Sequence, residues 1–346
     1  MSITKKPFGK APCGREAELY VLTNASGASV EISNYGGILR AVNVPDRNGK
    51  IGSVTLGYSS VEGYTPLNGY MGALIGRVGN RIANGECTVS GQKLTLAMNE
   101  NGTTHLHGGD VGFDRRFWDA TPVEGICEDS LILKYVSPDG EEGYPGTLRV
   151  MVTYTFTDDN ELLIHYEAVS DRDTLCNLTN HSYFNLEGEG AGPVTDHVFE
   201  FNCDTFTVVD EKCIPTGEQR DVTGTPFDLR QPTRLADGLA QEETDEQLRF
   251  GKGFDTTSTS TTPRPDCASP CTWRRPFRAA RWTCSPTCPP CSSTAATCSR
   301  ASTPAHADGS ITSARASAWR PSTRRTPSII RNSRTACCAR ARSTTI

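Results

Sequence analysis

The sequence predicts an all-β protein of the sandwich or barrel class. Strand-type runs rich in Val, Ile, Thr, Tyr and Phe recur at roughly 8–12-residue spacing. Turn chemistry (Asn, Asp, Gly, Pro) separates them. Helix-period stretches are few and short. No internal repeat is visible.

The elements follow in chain order. Leu19 to Leu22 and Ser29 to Ile32 flank Asn24-Ala-Ser-Gly27, a hairpin signature. Pro45-Asp-Arg-Asn-Gly49 is a turn by composition. Leu148 to Phe156 alternates, with Val150, Val152, Tyr154 and Phe156 on one face. Asp158-Asp159-Asn160 turns the chain, and Leu162 to Val169 returns as the second arm of a hairpin.

Composition divides the chain at Asp255. From Thr256 onward there is no Leu, Val, Met, Tyr, Lys, Glu or Gln. Of the 35 Lys+Arg, 14 lie in this tail, all Arg, and of the 40 Asp+Glu only Asp266 and Asp308 do. Residues 1–255 therefore carry −17 and residues 256–346 carry +12. The first part is long enough for one large all-β domain or two smaller ones. Its acidity argues against nucleic-acid binding. Met1–Gly9 has no apolar run, so it is not a signal peptide, and no stretch approaches the roughly 18 apolar residues of a membrane span. Three Asn-x-Ser/Thr patterns, at Asn24, Asn101 and Asn177, recur by chance without a secretory route. Six Cys precede Asp255 without close pairing, the pattern of free thiols in a reducing cytoplasm.

Several polar clusters stand out. Gly76-Arg77-Val78-Gly79-Asn80-Arg81-Ile82 sets two Arg and an Asn among small residues. Thr104-His105-Leu106-His107 places two His on one side of an alternating stretch, before Gly108-Gly109. Asn177 to Leu186 alternates; as a strand it would put Asn177, Thr179, His181, Tyr183 and Asn185 on one face. Amide, hydroxyl, imidazole and phenol together suit a sugar, whose hydroxyls need donors and acceptors and whose ring stacks on an aromatic. Each cluster also has a bland reading. A His is more often structural than catalytic. No Cys or carboxylate at ligand spacing supports a metal at His105 and His107. Arg77 and Arg81 at i, i+4 read as a solvated charged face. Gly188-Glu-Gly-Ala-Gly192 follows no βα unit and reads as a loop. Cys267-x3-Cys271 and Cys284-x3-Cys288-x2-Cys291 match no usual zinc-finger spacing.

In order and wording, these clusters resemble the aldose 1-epimerase (galactose mutarotase) family. The matching segments are Asn34-Tyr-Gly-Gly37, Leu56-Gly-Tyr58, Gly76 to Ala83, Leu106-His-Gly-Gly109, Gly112-Phe-Asp114 and Trp118. Further on come Glu142-Gly-Tyr-Pro-Gly146, Asn177 to Leu186, Pro215-Thr-Gly217, Phe227-Asp-Leu229 and Gly253-Phe-Asp255. The resemblance covers about the first three quarters of the chain. It implies a large mutarotase-type β-sandwich over 1–255, incomplete at the C-terminus. It also implies no cofactor, a free aldohexose as partner, no nucleic acid or membrane, and a cytoplasmic monomer or weak dimer. By resemblance His181 is the general acid. Asn80, Arg81, His107 and Asp255 would hold sugar hydroxyls, and Tyr183 would contribute a wall. The family's base is a Glu in a Leu-Glu-Thr-Gln-like strand near the C-terminus, and this chain has no Glu after Asp255.

A single-base deletion accounts for that absence. Family members continue from Gly-Phe-Asp with His-Asn-Phe. Removing one C after the Asp codon turns codons for Asp-His-Asn-Phe-Tyr-Leu-Asp into Asp-Thr-Thr-Ser-Thr-Ser, followed by Thr, as at 255–261. With suitable codons, Cys291 to Cys298 can be read one base earlier as Val-Gln-Phe-Tyr-Ser-Gly-Asn-Met, and Ala318 to Thr323 as Leu-Glu-Thr-Gln-His. The three fall in family order at one offset. Shifted codons of a GC-rich gene also explain Arg without Lys. Residues 256–346 are thus expected to be out of frame and disordered; the rival is a genuine disordered basic arm. Two functional classes stay open: an epimerase, including a phosphosugar variant, and a non-catalytic sugar-binding or regulatory protein on the same scaffold.

Overall fold

The computed structural model describes residues 2–65, 69–126 and 128–259, and beyond them 271–274, 280–287, 294–300, 317–323, 328–330 and 335–345. Cys127, Asp266, Cys267, Cys288, Cys291 and Asp308 lie outside the described residues. The chain is built from β-strands, with two short α-helices at Leu235–Leu239 and Glu246–Gly251.

An N-terminal meander of five antiparallel strands (Ser2–Lys10, Glu16–Thr23, Ser29–Ser33, Leu39–Pro45, Ile51–Ser53) forms one sheet. The hairpin read from sequence around Asn24 to Gly27 forms here, with Leu19 opposite Ser33 and Thr23 opposite Ser29. The Pro45 to Gly49 turn closes on Asp46, whose Oδ1 accepts from the Asn48 and Lys50 amides at 2.8 and 3.0 Å.

The nine-stranded sheet contains the predicted long hairpin as its third and fourth strands. Leu148–Thr157 pairs with Glu161–Ser170, Leu148 opposite Ser170 and Phe156 opposite Leu162. Val150, Val152, Tyr154 and Phe156 are buried, as their shared face requires. They form one core with Leu22, Val30, Ile32 and Val42 of the meander and Leu131 and Leu133 of strand Glu128–Ser137. Burial of each such side chain contributes about 1.5–3 kcal/mol relative to exposure. The two predicted hairpin tips meet. Asn24 Nδ2 donates to Thr157 O (3.0 Å) and Asn160 Oδ1 (2.7 Å), and the Ala25 amide donates to Asp158 Oδ1 (2.8 Å).

Composition predicts no ordered structure after Asp255, yet the described tail segments follow strand paths. Thr335–Thr345 lies beside Glu161–Ser170, Cys271–Arg274 beside Val198–Glu200, and Ser317–Thr323 beside Tyr183–Phe184. Main-chain pairing is indifferent to side chain, so a stretch of almost any composition can follow a ladder. The apolar alternation that would bind such strands to a core is missing from this sequence.

Candidate active site

Three segments converge. Residues 72–83 run beside 177–181. Leu74 and Ile75 pair with Asn180 and Thr179, and Val78 bridges to Asn177. The other side of the first segment pairs with Thr104–Leu106, Arg81 opposite Leu106. This arrangement brings Asn80, Arg81, His107, His181 and Tyr183 together from positions up to a hundred residues apart.

His181 is fixed by its backbone. Its amide donates to Ala73 O and its carbonyl accepts from the Gly72 amide, both at 2.9 Å. Its ring stands 5.3 Å from that of His107, at 87°. Tyr183 and Tyr70 lie on it at 5.0 and 5.9 Å, both tilted by about a third of a right angle (33° and 31°). Tyr183 is held by its hydroxyl, which donates to Gly69 O at 2.9 Å.

His107 and Asn80 hold each other. The His107 amide donates to Asn80 O (3.2 Å), and the Asn80 amide donates to His107 Nδ1 (3.0 Å). An Nδ1 that accepts carries no proton, so the neutral ring holds its hydrogen on Nε2 and offers a donor there. Asn80 (φ 69°), His107 (φ 52°) and Tyr70 (φ 58°) all adopt left-handed backbone. Such conformations cost about 1–3 kcal/mol each and concentrate at functional sites. Gly108 and Gly109 complete the turn. A Cβ on Gly108 would stand 1.8 Å from Gly76 O, and one on Gly109 2.1 Å from Glu142 Oε2.

Arg81 makes a two-point ion pair with Glu100, Nε to Oε2 at 2.7 Å and Nη2 to Oε1 at 2.8 Å. Burial works against its charge, but Glu100 and the charge of Asp255 outweigh it, so Arg81 titrates above its ordinary range. Asp255 joins the same cluster with Cys213. Burial pushes that thiol up, Arg81 opposes, and Asp255 and Glu100 add to the rise.

Two sequence readings are corrected. Arg77 and Arg81 form no solvated face, because no helix exists there. Arg77 is 2% exposed, and its five N–H groups reach six acceptors, Ser137 Oγ and O, Pro138 O, Pro145 O, Gly146 O and Thr174 Oγ1, with Nη2 shared among three of them. Residues 177–186 are not one strand but two two-residue strands, Thr179–Asn180 and Tyr183–Phe184. Between them Asn180 Oδ1 accepts from the Ser182 amide (3.0 Å), an Asx turn that breaks the ladder. His105 takes the structural role that its bland reading gave it, its ring bonded to Ala97 O (2.8 Å) and Tyr144 Oη (2.6 Å). Burial lowers its pKa, which keeps it neutral. Glu100 and Tyr70 were not singled out from sequence; the only local signal was the Asn101-Gly102 turn beside Glu100.

The sequence model of the family described as aldose 1-epimerase matches residues 18–268. Galactose mutarotase of Bos taurus is 43% identical over 241 residues, 70% of this chain and 69% of that protein. Aldose 1-epimerase of Escherichia coli K12 is 36% identical over 245 residues, 71% and 68% of the two chains. In fold, the crystal structure of a galactose 1-epimerase from Lactobacillus acidophilus superposes with a TM-score of 0.83 at 22% identity, covering 100% of this chain and 99% of that one. Sequence and backbone thus lead to one assignment: the chain belongs to the aldose 1-epimerase family.

Proposed function

We propose that residues 1–255 carry the sugar site of an enzyme that interconverts the α and β anomers of a free hexose. The single observation that supports this best is the packing of His181 against His107 and Tyr183, beside the Arg81–Glu100 pair. In the proposed reaction His181 gives a proton to the ring oxygen as the C1–O5 bond breaks. A base takes the proton from the C1 hydroxyl as C1=O forms. Rotation about C1–C2 and the reverse steps close the ring on the other face. Asn80, Arg81, His107 and Asp255 hold the hydroxyls and steady the developing charge, and Tyr183 forms a wall.

The base is missing as written, and backbone register supports a place for it. With one base restored after the Asp255 codon, each codon takes its first base from the preceding one. The Leu-Glu-Thr-Gln-His reading then falls on positions 319–323, with its Glu at 320. Ala318 pairs with Tyr183 and Ser317 with Phe184. Position 320 lies on the same strand, Ser317–Thr323, two residues beyond Ala318 and next to the segment that carries Tyr183. Arg320 occupies that position in the chain as written.

The absence of any Glu after Asp255 favours a second reading, a sugar-binding protein without turnover. Cys13, Cys87, Cys203 and Cys213 are free thiols, which supports a reducing compartment. No helix among the described residues is long and apolar enough to cross a membrane. Polarimetry on freshly dissolved α-D-galactose or α-D-glucose, with the frame-restored protein, tests the proposal. Optical rotation should decay faster than in buffer. A decay at the buffer rate would leave the binding-protein reading.

A further inference from the structure

We infer that Glu100 is a positioning and specificity residue: it holds Arg81 at two points and offsets its charge, so that the site selects neutral aldoses over anionic ones. This rests on the sugar-site reading above. The carboxylate is rigidly presented. Asn101 (φ 53°) and Gly102 (φ 66°) form a tight turn, closed by the Thr103 amide on Glu100 O at 3.1 Å. The Glu100 amide in turn donates to Thr104 O at 3.0 Å, on the strand that leads to His107. Arg81 and Glu100 side chains are only 17% and 21% exposed, so their pairing is partly shielded from solvent.

Geometry and charge then act together. The Nε and Nη2 edge of Arg81 is committed to Glu100, while Nη1 makes a long 3.4 Å contact to Asn80 Oδ1. A guanidinium with no such partner is a two-pronged anion trap, matched to a carboxylate or phosphate. Here that fork is already filled. Asp255 adds a second negative charge felt by both Arg81 and Cys213. One cation therefore faces two carboxylates. At this corner a uronate or a sugar phosphate meets a filled fork and a cluster of Arg81, Glu100 and Asp255 with one negative charge in excess, whereas a neutral hexose loses nothing by it.

The test compares D-galactose with D-galacturonate. Turnover is measured by polarimetry and binding by saturation-transfer NMR, both on the full-length, frame-restored protein. The parent should favour galactose. In Glu100→Gln, which keeps the shape and removes the charge, kcat/KM for galactose should fall about tenfold, mainly through KM. The galactose-to-galacturonate ratio should narrow by about tenfold. Glu100→Asp, which keeps the charge but shortens its reach, should raise KM and leave that ratio unchanged. Equal losses for both sugars in Glu100→Gln would reduce Glu100 to a structural residue and overturn the inference alone. A parent that neither binds nor turns over either sugar would sink the sugar-site reading, and this inference with it.

Discussion

At the residue scale, chemistry divides the polar groups that look alike in sequence. His105 and His107 are two positions apart, yet one is locked between Ala97 and Tyr144 and the other faces His181. Arg77 and Arg81 divide in the same way. The motif wording pointed to His107, His181, Asn80 and Arg81 through the family resemblance, because that wording is local. Glu100 and Tyr70 were illegible, because their meaning lies in contacts made across folds of the chain. The roles predict a mutational order in the frame-restored protein. His181→Ala should lose about 10²–10⁴-fold in kcat, the usual cost of a general acid. His107→Ala and Arg81→Ala should instead weaken both KM and kcat, since their proposed role is to hold substrate and charge alike. Steady-state polarimetry separates the cases; near-full activity in His181→Ala would contradict its assignment.

At the scale of elements, the hairpins were legible because hairpins are local and one face of each is buried. The failure at 177–186 has the opposite cause. Thr179, Asn180, His181, Ser182, Phe184 and Asn185 are all buried, so alternation there does not report inside against outside. Arg77 is the main tie between elements. Its guanidinium gathers the carbonyls of 137, 138, 145 and 146 around the segment that carries Asn80 and Arg81. A lysine has three donors for these six acceptors. Arg77→Lys should therefore leave several buried groups unmet and cost about 3 kcal/mol or more. Urea unfolding of the frame-restored protein measures this; a loss below about 1 kcal/mol would show the network to be dispensable.

At the scale of the molecule, the acidic front part and the basic tail have different physical standing. The core cluster draws on strands from Tyr20 to Phe254, and the family match ends at residue 268, close to the change in composition. Backbone register can carry the tail through both large sheets, but side chains set the free energy. The tail brings few apolar residues larger than Ala or Cys: three Trp, Phe277 and four Ile. A sandwich needs such residues on its closing strands to cover the apolar faces of the others. We therefore expect the chain as written to give less soluble protein than its frame-restored form, to melt without a cooperative transition, and to lack anomerisation. Expression of both, followed by calorimetry and polarimetry, decides the matter. A soluble, cooperatively melting and active product from the written sequence would make the tail a genuine domain.

The mutual hold between Asn80 and His107 has a consequence for how the site can evolve. The donor to His107 Nδ1 is a main-chain amide, not a side chain. Any residue but proline supplies one. The hydrogen on the far side of the imidazole is therefore inherited with the backbone turn rather than with the identity of position 80. Its side chain is released from that duty. It is constrained by the left-handed turn, by its contact with Arg81 Nη1 and, in the proposed function, by what it touches in the sugar. Drift or selection can retune the hydroxyls read at this corner without disturbing the donor beside it.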